Sequence, residues 1–206
     1  KQNYRKIEII VVDDGSDDGT IDIVKRFKNV ILKKQDHKGP GLARNFGAEF
    51  AKGEILIFVD ADMAFPSNYI SKLIEPIISG RCWGTIHSEE RVANEDNIWA
   101  RCWGPVIPLD KDGKGLIFRA ITKEKFLEYD MFDPAEGYAD DQSIMKKSGV
   151  KAEPVDVFCY HHNPDSLSDV FVQSRWIGSS YRFWFLNVPV LNIAGAFFLY
   201  LLFYPL

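Results

Sequence analysis

The chain has 206 residues and a formal net charge of −4, with 46% hydrophobic and 26% charged side chains. That length carries one α/β domain whose core needs no disulfide staples, and the composition excludes a disordered or low-complexity chain. The mildly acidic balance, without a run of Lys or Arg, argues against nucleic acid as a partner. Three scattered cysteines, Cys82, Cys102 and Cys159, form neither a disulfide framework nor a zinc motif, which points to a reducing compartment.

From the N-terminus, Lys6–Val12 (KIEIIVV) is an apolar, β-branched run ending at Asp13-Asp14-Gly15, the pattern of a buried strand and a turn. Thr20 is placed to cap a helix to about Phe27, with Ile21, Ile23, Val24 and Phe27 on its inner side. Val30–Lys33 reads as a second strand. A Gly-Pro-Gly loop at 39–41 leads into a helix over 42–51. Ile55–Val59 is the strongest strand signal and runs straight into Asp60-Ala61-Asp62. Ser67 opens another helix, with strands near Thr85 and over 116–119. Thr122 is placed to cap a helix to Glu128, and Asp140 one that stops at Ser148-Gly149. Val155–Tyr160 is strand-like and precedes His161-His162 and a helical stretch with Gln173-Ser174-Arg175-Trp176. This alternation predicts an α/β fold, a mostly parallel sheet sandwiched by helices, in one domain over residues 1–180.

The C-terminal composition differs. Val188–Leu206 contains one clearly polar side chain, Asn192, and no charge; as a helix its 19 residues span about 28 Å, close to a bilayer's hydrocarbon core. A transmembrane helix is therefore expected over 183–206, with a buried core helix as the alternative. Trp176, Tyr181 and Trp184 would form an interfacial belt, and Arg175 and Arg182 positive flanks that place the polar domain on the cytoplasmic side. No secretory signal is read at the N-terminus. The chain opens without Met and ends inside the apolar run, so a fragment is expected.

Chemistry concentrates in three acidic pairs. Asp60 and Asp62, two apart on an extended segment, can converge on one point just beyond a strand's carboxyl end, where open α/β sheets bind ligands. Two carboxylates suit Mg²⁺ or Mn²⁺, and such an ion suits a diphosphate. Asp13 and Asp14 end an earlier strand, either holding a base or ribose hydroxyl or making an Asx-turn into Gly15-Ser16. In the third pair, Asp140-Asp141, one carboxylate can cap a helix and leave the other as a general base. Lys38 and Arg44 flank a helix start suited to phosphate oxygens, with a solvated helix charge as the alternative for Arg44. His161 and His162 either bind metal or phosphate or satisfy loop backbone, and Trp83, Trp99 and Trp103 either stack on an acceptor sugar or serve as core or membrane-facing residues.

Together these residues resemble the family 2 glycosyltransferases of the GT-A fold. The matching pieces are VVDDGSDDGT at 11–20, GPGLARNFGAEFAKGEILIFVDAD at 39–62, Asp140-Asp141, the histidine pair at 161–162, and QSRW at 173–176. The resemblance implies a membrane-anchored, inverting, metal-dependent transferase using a nucleotide-sugar donor, with the family's first strand missing. Asp13, Asp14, Lys38, Arg44, Asp60, Arg175 and Trp176 would bind the donor; Asp62, with Asp60 and His162, the Mn²⁺ or Mg²⁺; and Asp141, next to Asp140, would be the catalytic base. Asp140 stands where the family usually has Glu. Val172 holds the place of the Gln in the Gln-x-x-Arg-Trp motif of processive synthases. The expected acceptor is a carbohydrate hydroxyl or a polyprenyl phosphate at a membrane lipid surface. The alternatives are a nucleotidyltransferase on a related sheet and a non-catalytic nucleotide-sugar-binding membrane subunit.

Overall fold

The computed structural model describes residues 1–106 and 108–180. The helix expected over 183–206 lies outside them, and no helix among the described residues is long and apolar enough to cross a membrane.

Among the described residues, seven strands fall into two sheets. β1 (Ile9–Asp13) pairs in parallel with β2 (Val30–Lys34), joined through the short α1 (Thr20–Val24). The second sheet has the order β3-β6-β5-β7-β4, built from β3 (Ile55–Ile57), β4 (Met63–Ala64), β5 (Gly84–Val92), β6 (Ala120–Thr122) and β7 (Glu153–His161). Within it only β5 and β7 run parallel; β6 is antiparallel to both β3 and β5, and β4 is antiparallel to β7. The expected mostly parallel sheet is thus a mixed one. Regular strand–helix alternation implies parallel crossovers, but the described residues between β5 and β6 form α4 (Ile98–Trp103) and loop, and the chain returns in the opposite direction.

Strand pleating sends alternate residues to opposite faces, and the core divides accordingly. Leu56, Ile86 and Ile121 face one cluster with Ala48, Phe118, Phe126, Phe132 and Ile144. Ile55, Ile57, Ala120, Val157 and Cys159 face the other, with Tyr69, Leu73, Ile74 and Ile77 of α3 (Tyr69–Ile78). The first face is covered from α2 (Pro40–Phe50), α5 (Lys123–Glu128) and α6 (Ser143–Ser148). α7 (Leu167–Ser180) packs against α4 and a 3-10 segment at Pro134–Gln142.

Several predicted ends hold for the stated reasons. Gly39 precedes α2 with a φ of 94°, Gly149 ends α6 in the left-handed region, and Thr122 Oγ1 accepts from Lys125 N to cap α5. Others differ. α1 is capped by left-handed Gly19, because the Thr20 hydroxyl is turned to Asp18, and Ile23 and Phe27 are exposed rather than inner. Asp140 caps no helix: α6 starts at Ser143, and both aspartates lie in the 3-10 segment, kinked at Gly137. Trp83 stacks on Phe118 within the core and Trp103 is buried, while Trp99 is partly exposed on α4.

Candidate active site

The site lies beyond the carboxyl end of β3. Asp60 does not continue an extended strand: Met63 N donates to Asp60 O at 3.3 Å, which closes a turn over Asp60–Met63. The two carboxylates consequently meet different partners. Asp60 Oδ1 accepts from an Arg44 guanidinium nitrogen at 2.8 Å, and Oδ2 from Arg119 at 3.1 Å. Burial alone would raise its pKa, but the Arg119 and Arg44 guanidiniums win and hold the carboxyl below its ordinary range. Asp62 is more open, 49% exposed at its side chain, with His161 Nε2 at 3.5 Å from Oδ1.

The β4–β7 ladder sets this last pairing. Met63 pairs with His161, and His162 N donates to Asp62 O at 2.8 Å. His162 therefore contributes a backbone amide here, and the imidazole beside the carboxylate is that of its neighbour. A half-exposed carboxylate oxygen and a more sheltered imidazole nitrogen fit Mn²⁺ or Mg²⁺; Asp60, with a guanidinium on each oxygen, fits that role less well.

Arg44 ties the first acidic pair to the third. Its other terminal nitrogen donates to Asp140 Oδ1 at 3.0 Å. Asp140 is 2% exposed, and burial outweighs Arg44 to raise its pKa. Asp141 goes further, pushed up to about 6 by burial and the adjacent Asp140 charge, against the opposing Arg44 and Arg119 charges. Close packing holds this segment: a Cβ at Gly41 in the first turn of α2 would run into the Asp140 side chain. Asn45, one residue beyond Arg44, donates to Phe132 O at 2.8 Å and accepts from Phe132 N at 3.0 Å. α2 and the approach to the 3-10 segment are thus clamped together.

The Asp13-Asp14 pair has a local job. Asp13 is buried and accepts from Ser16 N at 3.3 Å, the turn geometry weighed from sequence. The Asp14 carboxylate accepts from Gln35 Nε2 at 2.7 Å and from Lys38 N and Gly39 N at 2.8 Å each. Burial acts to raise its pKa, but these bonds and the nearby His37 keep it low. Asp14 therefore fixes the loop entering α2, and the Lys38 amide points at this carboxylate. Arg175 and Trp176 stand on the outer side of α7, whose Ser174 and Ile177 face inward.

Two participants escaped the sequence reading. Arg119, just before β6, is 59 residues from Asp60, and Glu90 of β5 lies 3.5 Å from its guanidinium. Arg119 gave one signal, a charge inside the apolar stretch 115–122, whereas Glu90 sits among the polar residues of HSEERV and gave none. An open groove lined by Lys52, Glu54, Ile78 and Lys123 lies at the start of β3, away from these groups.

Comparison with known proteins agrees with this architecture. The chain is similar to S. aureus TarS in complex with UDP-GlcNAc, with a TM-score of 0.63 and 18% identity, covering 97% of this chain and 65% of that one. It is also similar to the mannosyltransferase PcManGT of Pyrobaculum calidifontis in complex with GDP-Man and Mn²⁺: TM-score 0.62, 21% identity, 98% and 63% coverage. By sequence it is 37% identical over 82 residues to the glycosyltransferase GlyG of Streptococcus pneumoniae serotype 4, covering 37% of this chain and 27% of GlyG. It is 38% identical over 76 residues to Escherichia coli WfaP, a UDP-Glc:alpha-D-GlcNAc-diphosphoundecaprenol beta-1,3-glucosyltransferase, covering 35% and 30%. The chain thus spans under a third of these two relatives. Residues 1–139 match the family Glycosyl transferase family 2, and the chain, an α/β protein of GT-A-like architecture with a mixed sheet, belongs to that family.

Proposed function

We propose that this chain is the catalytic part of an inverting glycosyltransferase that moves a sugar from a nucleotide diphosphate to an acceptor at the cytoplasmic face of a membrane. The observation that carries the reading is Asp141, a carboxyl drawn up to about 6 next to the Arg44–Asp60–Asp140 cluster beyond β3. Such a group is ionised at neutral pH yet basic enough to take a proton.

In this reading Asp141 removes the proton of the acceptor hydroxyl as its oxygen attacks the anomeric carbon from the face opposite the departing diphosphate. Arg44 and Arg119 fix Asp60 in its ionised form to hold the donor. Asp62 and His161 would hold Mn²⁺ or Mg²⁺, which supplies positive charge to the leaving diphosphate. The Mn²⁺ in the PcManGT complex supports use of a divalent ion, and the UDP-GlcNAc in the TarS complex supports a sugar-nucleotide donor. WfaP, named for a lipid-linked acceptor, and the uncharged run at 188–206 favour an acceptor presented at a membrane, a carbohydrate on a polyprenyl carrier or the carrier phosphate itself.

The test is to supply, with Mn²⁺, nucleotide sugars and polyprenyl-linked acceptors in one reaction and nucleoside triphosphates with sugar 1-phosphates in a second, and to identify the phosphate product released in each. Nucleoside diphosphate with a product of inverted anomeric configuration is expected. Pyrophosphate released from a nucleoside triphosphate would instead make the protein a nucleotidyltransferase, and donor binding without turnover would make it a binding subunit.

A further inference from the structure

Behind Asp60 runs a chain of polar groups buried in the sheet, for which the transfer reaction above gives no reason. Tyr69 OH lies 2.8 Å from His87 Nδ1, His87 Nε2 lies 2.8 Å from Glu90 Oε1, and the same Glu90 oxygen accepts from Arg119 at 3.5 Å. Arg119 then reaches Asp60 Oδ2 with its other terminal nitrogen. Tyr69 and His87 are essentially inaccessible, and Glu90 is 4% exposed. Burying a carboxylate and a guanidinium is costly, and an apolar pair of similar volume often serves stability as well or better. Among the described residues, Glu90 Oε2 and Arg119 Nε are buried with no protein hydrogen-bond partner.

What the arrangement does achieve is orientation. A guanidinium is a planar fork, and fixing it takes anchors on more than one edge. Asp60 holds one edge of Arg119, assisted by Phe58 O at 3.4 Å, and Glu90 holds another. We infer that Glu90 is a positioning residue for donor binding: its carboxylate locks the Arg119 guanidinium against Asp60, while the Tyr69–His87 pair locks Glu90. The inference rests on the reading of Asp60 as a donor-binding group. His87, Glu90 and Cys159 also bring three potential metal-ligand atoms within 4.8 Å of one another. Both His87 ring nitrogens already have partners in Tyr69 and Glu90, however, and burial and the Glu90 charge push the Cys159 thiol up to about 12, so a hydrogen-bonded interior fits better.

The experiment titrates the purified wild-type chain, Glu90→Gln, Arg119→Lys and the double variant with UDP and with GDP in the presence of Mn²⁺. Crystal structures of unliganded wild type and Glu90→Gln accompany it. Glu90→Gln should weaken nucleotide binding roughly 10- to 100-fold, the effect of one hydrogen bond to a charged group. The double variant should bind no more weakly than Arg119→Lys, because both act through one guanidinium. In the unliganded variant Arg119 should have left Asp60. Unchanged affinity, additive losses, or an Arg119 still seated on Asp60 would overturn the inference. If wild type binds neither nucleotide, the donor reading fails, and the two crystal structures alone then decide whether Glu90 holds Arg119. Should Glu90→Gln not fold, Tyr69→Phe removes only the far end of the chain; about a 3-fold loss of affinity is expected, and no loss would count against the proposal.

Discussion

Asp141 combines two effects that pull against each other. With a folded pKa near 6 against an ordinary value of 3.8, its ionisation opposes folding by up to about 3 kcal/mol above pH 6 and by almost nothing at pH 4. Asp141→Asn should therefore raise the melting temperature at pH 8 and leave it nearly unchanged at pH 4. The same variant should lower turnover by about 10²- to 10⁴-fold with donor affinity retained, and wild-type kcat should climb with pH and level off above about 6. Asp62→Ala and His161→Ala should each weaken Mn²⁺-dependent nucleotide binding, measured by calorimetry, with no effect on binding in EDTA. The first two carboxylate pairs were legible because each follows a strand that local pattern reveals; Asp140-Asp141 stood out as a charge pair, but in a 3-10 segment that the sequence reads as a helix start. Their partners were not: Arg119 and Glu90 reach Asp60 only through strands far along the chain. Nor does sequence choose between His161 and His162; that choice follows from β7 pairing Met63 with His161.

α2 is the element on which the site depends most. Its start is set by Asp14, its first turn presses on Asp140, Arg44 bridges two carboxylates, and Asn45 grips Phe132. Asn45→Ala would strand a buried N–H and a buried C=O of Phe132, at a cost of about 2–4 kcal/mol read as a fall in denaturant midpoint. The end of α5 has a different character. Asp130 and Met131 both adopt left-handed backbone with φ near +54°, and Lys147 donates to both carbonyls at 2.9 Å. Asp130→Gly should stabilise the chain by about 0.5–1 kcal/mol in the same denaturation experiment. Helix ends marked by glycine could be read from sequence, since only glycine enters that region freely. A two-residue strand such as β4, or a strand such as β6 displaced from its apolar run at 116–119, is defined by its partners and not by its own residues.

Across the molecule, one ladder joins parts that sequence treats separately. The parallel crossovers implied by alternation occur at β1–β2 and β5–β7, while β4 and β6 return antiparallel, so the acidic turn after β3 is stitched directly to the end of β7. Asp62 and His161 consequently keep their spacing through main-chain bonds, whichever side chains they carry. If the pair holds the proposed ion, its ion preference can then be altered without moving the backbone. Exchanging the imidazole for a shorter oxygen donor, as in His161→Asp, should move preference from Mn²⁺ toward Mg²⁺ or Ca²⁺ while the backbone stays where it is.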